Sequence, residues 1–470
     1  MIVQLRKIPN EIPDVSSDPE LVDPSDIDCD AHEITDGHYN ENVLTRTVYA
    51  FLIAAFLASG PSQLYGQQKT TVLIDAFENQ TGDRTLDWIG EGIATTLGER
   101  LGAQPGLYVF GLDERIAEYQ RLGIPETVSV SRATAIRLAW DMGADILVTG
   151  WISGTHDAFR IDARILNLVD DTAGPDITIN GKLDEIIPLA AFLATGVAKQ
   201  IVPGSSLPES DYAARPPVSR SAFEAYIRGV VATDSQRKVE LLQEAIRLHP
   251  QYRSAVYQLG QVYYLDSNYQ ASTDLLAKIP ADASEFPQAR FMIGMNAYHL
   301  GDYANAAQIF SALPHTYDVL VNLGASLAAT GDAAAAAAWR RALEGNPSGA
   351  EAAFNLGYFA YSRGDWELAA FRLAQFLRAH ARDSETVFLL GRAYDRLGRA
   401  EESQQLTAQA LRLSPRLQRW LTQPIPNLAR TRAQFDATEL RMPGGIWSDA
   451  RRRRKAEAQA AEDAITNPRR

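Results

Sequence analysis

Glycine returns along the second half of this chain at intervals of 30 to 34 residues, at Gly229, Gly260, Gly294, Gly324, Gly357 and Gly391. A second glycine follows seven residues after the last four of these, at Gly301, Gly331, Gly364 and Gly398. Small and aromatic residues keep fixed offsets, as at Tyr303, Ala306 and Phe310, or at Trp366, Ala369 and Leu373. A period of this length marks one supersecondary unit that cannot bury its apolar face alone, so neighbours stack and the stack supplies the core. The first glycine lets two helices approach, the second occupies the turn between them, and the alanine lies where they cross. Even the alanine run over residues 333–338 fits the second helix of a unit, where high helix propensity and a small packing face are both useful.

The stretches MIGMNAYHLGDYANAAQIF, NLGYFAYSRGDWELAAFRL and LLGRAYDRLGRAEESQQLTAQALRLSP resemble tetratricopeptide repeats. Five units are expected over residues 252–415 and a degenerate first one over 221–250, giving an all-α superhelical solenoid across 218–415. Such solenoids bind along the face made by the first helix of each pair. That face is expected to carry Tyr257, Gln261 and Tyr264, then Phe291, Met295 and Tyr298, then Phe354, Tyr358 and Tyr361, then Phe388 and Arg392 with Asp395. An aromatic stripe of this kind suits an extended or helical peptide. Repeat proteins that clamp a free carboxylate place Lys, Arg and Asn there. Asn322, Asn355 and Arg392 are present without the lysines, which argues against specificity for a chain terminus.

Residues 67–202 follow a different period. TTVLIDAF reads as a strand, residues 86–101 as an amphipathic helix, LYVFGL as a second strand and 115–122 as a short helix. Residues 131–142 read as a helix capped by Ser131 and stopped at Gly143. ADILVTGWISG and FRIDARILNLV form an antiparallel pair around Thr155-His156-Asp157, and 183–201 closes the domain as a helix. This order predicts an α+β domain, a mixed sheet with flanking helices.

The positions Phe77, Asn79, Thr81, Gly82, Gly90, Gly92, Gly143-Ala144-Asp145 and Gly150 resemble the amino-terminal domain of the TolB translocation protein and the CsgG-like domains. A final motif is only partly kept, with residues 163–167 lacking the usual aspartate and 170–174 completing it. The resemblance implies a non-catalytic, envelope-associated interaction domain. Lipoprotein relatives carry a lipidated cysteine at the mature start. Here Gly66-Gln67 stands in that place, so no lipid anchor is expected.

The carboxylates Asp75, Glu78, Asp83 and Asp87 crowd the turn after the first strand, but no GxxxxGK[ST] run accompanies them. Asn79 and Asp83 are expected to satisfy backbone groups in the turn and at the helix entrance. The histidines His32, His38, His156, His249, His299, His315 and His380 show no metal-ligand spacing, and Cys29 is the sole cysteine. We therefore assign no catalytic, cofactor-binding or metal-binding residues.

The remaining segments carry organisation rather than chemistry. Residues 1–43 are acidic and aperiodic, read as a disordered tail or a start codon placed too early. Residues 44–66 contain Arg46 and an apolar run over 48–57, the pattern of a secretory signal or a short membrane anchor. Residues 203–217 are a Pro- and Ser-rich linker. Residues 416–470 form an extension whose tail contains the basic run 451–455, expected to be solvated. Of the net charge of −13, residues 1–66 supply −8, so the main body gives no electrostatic case for nucleic acid. The expected function is a periplasmic or otherwise exported scaffold that binds protein or peptide partners, with envelope components as the expected class and membrane contact only peripheral. The alternative is a detached sensory protein related to the sensor halves of bacterial kinases and cyclases, membrane-anchored in the cytoplasm.

Overall fold

The computed structural model describes residues 69–124, 130–205, 207, 218–283, 285–436, 438, 442, 446, 451–453 and 456–457. The expected tail over 1–43, the signal segment over 44–66 and most of the linker over 203–217 lie outside the described residues.

Among the described residues, seven strands form one mixed sheet: β1 (Thr70–Ile74), β2 (Glu78–Asn79), β3 (Leu107–Val109), β4 (Ile146–Gly154), β5 (Phe159–Asn167), β6 (Thr172–Ala173) and β7 (Ile177–Gly181). The order is β3-β1-β4-β5-β6, with β2 added to β4 and β7 to β5. β3 and β4 run parallel to β1, whereas β5 is the antiparallel partner of β4 across the expected hairpin. β6 and β7 extend the expected pattern. Period-2 alternation divides the strands between two cores. Val72, Ile74, Val109 and Val148 face α1 (Trp88–Gly102) and α4 (Ile186–Ile201). Leu73, Tyr108, Leu147 and Leu166 face Tyr119 of α2 (Leu112–Leu122) and the apolar side of α3 (Arg132–Met142).

The turn FENQTGD is held by its own side chains. Asn79 Nδ2 donates to the Asp83 carbonyl at 2.8 Å and to Asp87 Oδ1 at 2.7 Å, and Asp83 Oδ1 accepts from the Thr85 amide at 2.9 Å. Those bonds to Thr85 hold the Asp83 carboxyl below its ordinary value. Close packing explains two glycines of the pattern: a Cβ on Gly90 would lie 1.9 Å from the Phe77 carbonyl oxygen, and one on Gly150 2.1 Å from the Phe77 ring. Asp75 has a separate role. It is buried, accepts from the Tyr119 hydroxyl at 3.1 Å, and lies beside Arg115, which pairs with Glu91 and donates to the Ile74 carbonyl at 2.8 Å. Burial raises the Asp75 carboxyl above its ordinary value despite the neighbouring guanidinium. Among the described residues, no group of three His, Cys, Asp or Glu side chains could hold a metal.

Beyond residue 217 the described chain forms six successive helical pairs. They are α5 (Arg220–Val231) with α6 (Ser235–Leu248), α7 (Arg253–Leu265) with α8 (Tyr269–Leu276), and α9 (Phe286–His299) with α10 (Tyr303–Ser311). α11 (Tyr317–Ala329) then pairs with α12 (Ala334–Gly345), α13 (Ala350–Arg363) with α14 (Trp366–Leu377), and α15 (Ser384–Arg396) with α16 (Ala400–Leu413). The first pair looks degenerate because one of its sides meets α1 instead of another repeat. Phe223 sits edge-on to Trp88 with ring centroids 5.9 Å apart, and one apolar cluster runs from Val72 in the sheet to Val262 in α7. Among the described residues, no helix is long and apolar enough to cross a membrane.

Gly324 shows what the repeat glycine does. A Cβ there would lie 2.4 Å from Nε1 of the fully buried Trp339, the atom that donates to the Val321 carbonyl at 3.0 Å. Overpacking of this kind costs about 1–3 kcal/mol, against up to ~1 kcal/mol regained from helix propensity. Gly324→Ala is therefore expected to lower the urea midpoint of the solenoid, and an unchanged midpoint would contradict the packing account.

Candidate peptide-binding groove

From the third helical pair onward, the inner face of the solenoid is covered by the chain's own carboxyl-terminal segment. After α16 a short 3-10 turn (Pro415–Leu421) seats Leu417 and Trp420 against Phe388, with the Trp420 and Phe388 rings 5.6 Å apart. Residues 424–436 then return along the groove in the direction opposite to the repeats, without a helix or strand assigned. We call this segment the strap.

Two asparagines hold its backbone. Asn355 on α13 donates from Nδ2 to the Arg430 carbonyl at 2.8 Å, and its Oδ1 accepts the Arg430 amide at 2.7 Å. Asn322, one repeat earlier on α11, does the same for Arg432, at 2.9 Å and 2.7 Å. Both asparagines are fully buried, so each would leave an unsatisfied amide if the strap were absent and water did not replace it. They meet alternate residues of the strap, the spacing at which an extended chain presents the same side. Tyr358 adds a bond from its hydroxyl to the Pro426 carbonyl at 3.1 Å.

Side chains supply the charge. Arg432 Nε donates to Asp318 Oδ1 at 2.8 Å and its Nη1 to Glu351 Oε1 at 2.8 Å. Asp318 also accepts the Asp436 amide at 2.7 Å. Arg430 donates to Asp383 Oδ2 at 2.7 Å while its guanidinium lies 3.7 Å from the centroid of the Phe354 ring, a cation–π contact. Further along, Phe435 packs against Phe291 with ring centroids 5.2 Å apart. Leaving the groove, Thr438 reaches the Tyr108 hydroxyl at 3.2 Å, and Met442 enters the sheet's second core.

The basic run is corrected at its first residue. Arg451 is 4% exposed rather than solvated, and it pairs with Asp145 while donating to the Lys69 carbonyl at 2.9 Å. Arg452 and Arg453 are exposed.

Of the residues expected on the inner face, Phe291, Tyr298, Phe354 and Tyr358 meet the strap, Tyr298 through Asn427. Met295 lies behind them, its sulfur accepting from Asn322 at 3.1 Å. Tyr257 and Gln261 turn instead toward α2, where Gln261 bonds to Asp113, whose carboxyl burial raises. Tyr264 packs with Tyr269 and His299, Tyr361 with Trp366, and Arg392 lies 3.9 Å from Asp395. Phe388 is a core residue under Trp420. Sequence reasoning missed the acidic side of the groove, although Asp318 and Glu351 each stand six residues before a repeat glycine.

These carboxylates make the strap sensitive to acid. For Glu351 and Asp383 burial alone would raise the value. Bonds from Arg432 and Tyr317 on the first, and from Thr386 and Arg430 on the second, leave both below it. Burial raises Asp318 despite its bonds to the Asp436 amide and Arg432. A carboxylate depressed in the strapped state favours that state above its free value and loses the effect as pH falls through the depressed one. Asp318, raised rather than depressed, adds nothing to this effect; Glu351 and Asp383 carry it, so the strap loosens as pH falls below about 4. Because Arg432 is 40% exposed, salt weakens the same contacts. A dye on Ala433→Cys, in a Cys29→Ser background, should lose anisotropy over that fall in pH; a flat profile would show that the pairs do not hold the strap.

Models of the tetratricopeptide repeat match residues 321–375 and 288–317. No curated protein matches the sequence. Among solved structures, YrrB, described as a TPR protein with an unusual peptide-binding site, is 18% identical over 41% of this chain and 84% of its own, with a TM-score of 0.24. PilW, described as a widely conserved type IV pilus biogenesis factor, is 21% identical over 43% of this chain and 95% of its own, with a TM-score of 0.36. PilF of Pseudomonas aeruginosa is 16% identical over 42% and 92%, with a TM-score of 0.36. The chain carries tetratricopeptide repeats in its helical half.

Proposed function

We propose that this protein is a non-enzymatic adaptor of the cell envelope that holds extended segments of partner proteins along the inner face of its repeats. The observation that carries the reading is the pair Asn322 and Asn355, each taking both backbone groups of one residue in a non-helical chain. Backbone bonds give affinity for an extended conformation, and neighbouring side-chain sites give selectivity. The α+β domain, resembling TolB amino-terminal and CsgG-like domains, supports an envelope setting, as does the signal-like segment over 44–66. In this reading the mature chain begins at Gln67 in the periplasm.

The groove is tested by replacing residues 424–436 with a Gly-Ser segment of equal length, which keeps the anchors at Met442 and Arg451. With a photo-crosslinker at Tyr358, this chain should trap an added extended peptide at positions on α11 and α13, as mapped by mass spectrometry. Absence of such crosslinks in a chain of unchanged helical circular dichroism would sink the groove reading. Mass spectrometry of the mature amino terminus tests export separately.

A further inference from the structure

We infer that the strap is an internal stand-in for a partner segment, and that the groove selects an extended chain of the form Arg-x-Arg-x-x-aromatic, which enters only when the strap leaves. This rests on the groove reading above and adds the chemistry of the ligand and the competition for its site.

The chemistry is read from the contacts of Arg430, Arg432 and Phe435. Arg432 sits between Asp318 and Glu351, two carboxylates from adjacent repeats, and among the described residues no cation of the solenoid's own helices pairs with either. Arg430 combines an ion pair to Asp383 with the faces of Phe354 and Phe376, at 3.7 and 4.9 Å from its guanidinium carbon. A planar cation satisfies both demands of that site; a lysine satisfies only the charge. Phe435 meets Phe291 three residues further on.

Displacement is read from burial. With the strap seated, the groove residues Asn322, Asn355, Phe291 and Phe354 are all fully buried. On the strap side, no residue from 424 to 436 is buried. The Arg430 and Arg432 side chains remain 25% and 40% exposed. The segment lies on the groove, with Ile425, Leu428, Ala429 and Phe435 only partly buried against its apolar clusters. The buried anchors flank it, with Leu417 and Trp420 before and Met442 and Arg451 after. The centre can therefore lift while both ends stay attached. Tethering also gives the strap an effective concentration on the order of millimolar, so a partner in solution competes at a large disadvantage until the strap is weakened.

The test uses a fluorescent peptide with the sequence of residues 422–438, added to the full-length chain. Binding should be at least tenfold tighter to Arg430→Ala/Arg432→Ala, which weakens the strap and leaves the groove intact, than to the unaltered chain. A peptide with both arginines changed to alanine should bind that variant at least tenfold more weakly than the native peptide. So should the native peptide when Asp318→Asn and Glu351→Gln are added to the variant, with circular dichroism confirming the fold. Equal affinity for the unaltered chain and the strap variant would overturn competition. Equal binding of the two peptides would overturn the arginine selectivity while leaving a peptide groove standing; binding of neither would remove the groove reading itself. A dimer in the unaltered chain that the strap variant lacks would overturn the partner assignment in favour of strap exchange between copies.

Discussion

Asn322→Ala combined with Asn355→Ala is expected to free the strap without unfolding the repeats. Four backbone bonds disappear, each with a net value of about 0.5–1.5 kcal/mol, so the strapped state loses roughly 2–6 kcal/mol. The lower part of that range is the better expectation, because the released strap groups are partly exposed and regain water. Even about 2 kcal/mol multiplies the open population by more than tenfold. Trypsin reads this directly, since Arg430 and Arg432 are themselves cleavage sites and are held while the asparagines grip them. Cleavage after these two arginines should accelerate by roughly 10–100-fold while cleavage elsewhere is unchanged. If the double variant is cut at the original rate, other contacts hold the strap.

Arg115→Ala is expected to be the most damaging single change in the α+β domain. The guanidinium is buried, pairs with buried Glu91, bonds the Ile74 carbonyl and neighbours Asp75. Removing one partner of a buried pair costs about 3–5 kcal/mol, because the other charge stays behind uncompensated. The pH dependence identifies the cause. Burial already raises Asp75, and losing Arg115 raises it further, so folding takes up a proton. A group raised in the folded state loses stability as pH rises toward its folded value. The deficit should therefore be larger at pH 8 than at pH 5. Pairing Arg115→Met with Glu91→Leu should recover much of the loss. A loss no larger than that of the exposed Arg121→Ala would contradict this account.

The repeat period makes the solenoid legible because a spacing of 30 to 34 residues leaves few ways to bury the apolar faces. The same period points Phe354 and Tyr358 inward, where they meet the strap. It cannot say what else covers a face. Tyr257 and Gln261 occupy the corresponding positions early in the solenoid, but the docked α+β domain places Asp113 there. Phe388 lies so near the end of the stack that Trp420 closes over it. The occupant itself was the hardest part to foresee. Arg432 lies 110 residues from Asn322 in sequence, in a segment with no periodicity. Only the acidic pair Asp318 and Glu351 at equal repeat positions, set against Arg430-Thr431-Arg432, hinted at the match. Arg451 was obscured for the opposite reason: a run of like charges reads as solvated, and only the fold brings Asp145 to meet its first residue.

The central claim is that buried asparagines hold the backbone of the strap, and site-resolved amide hydrogen exchange tests it most directly. The Arg430 and Arg432 amides donate to Asn355 and Asn322 at 2.7 Å and should be protected far above the exposed Ala433 and Gln434 nearby. That protection should vanish in the double asparagine variant. Exchange of both amides at the unprotected rate in the unaltered chain would contradict the account.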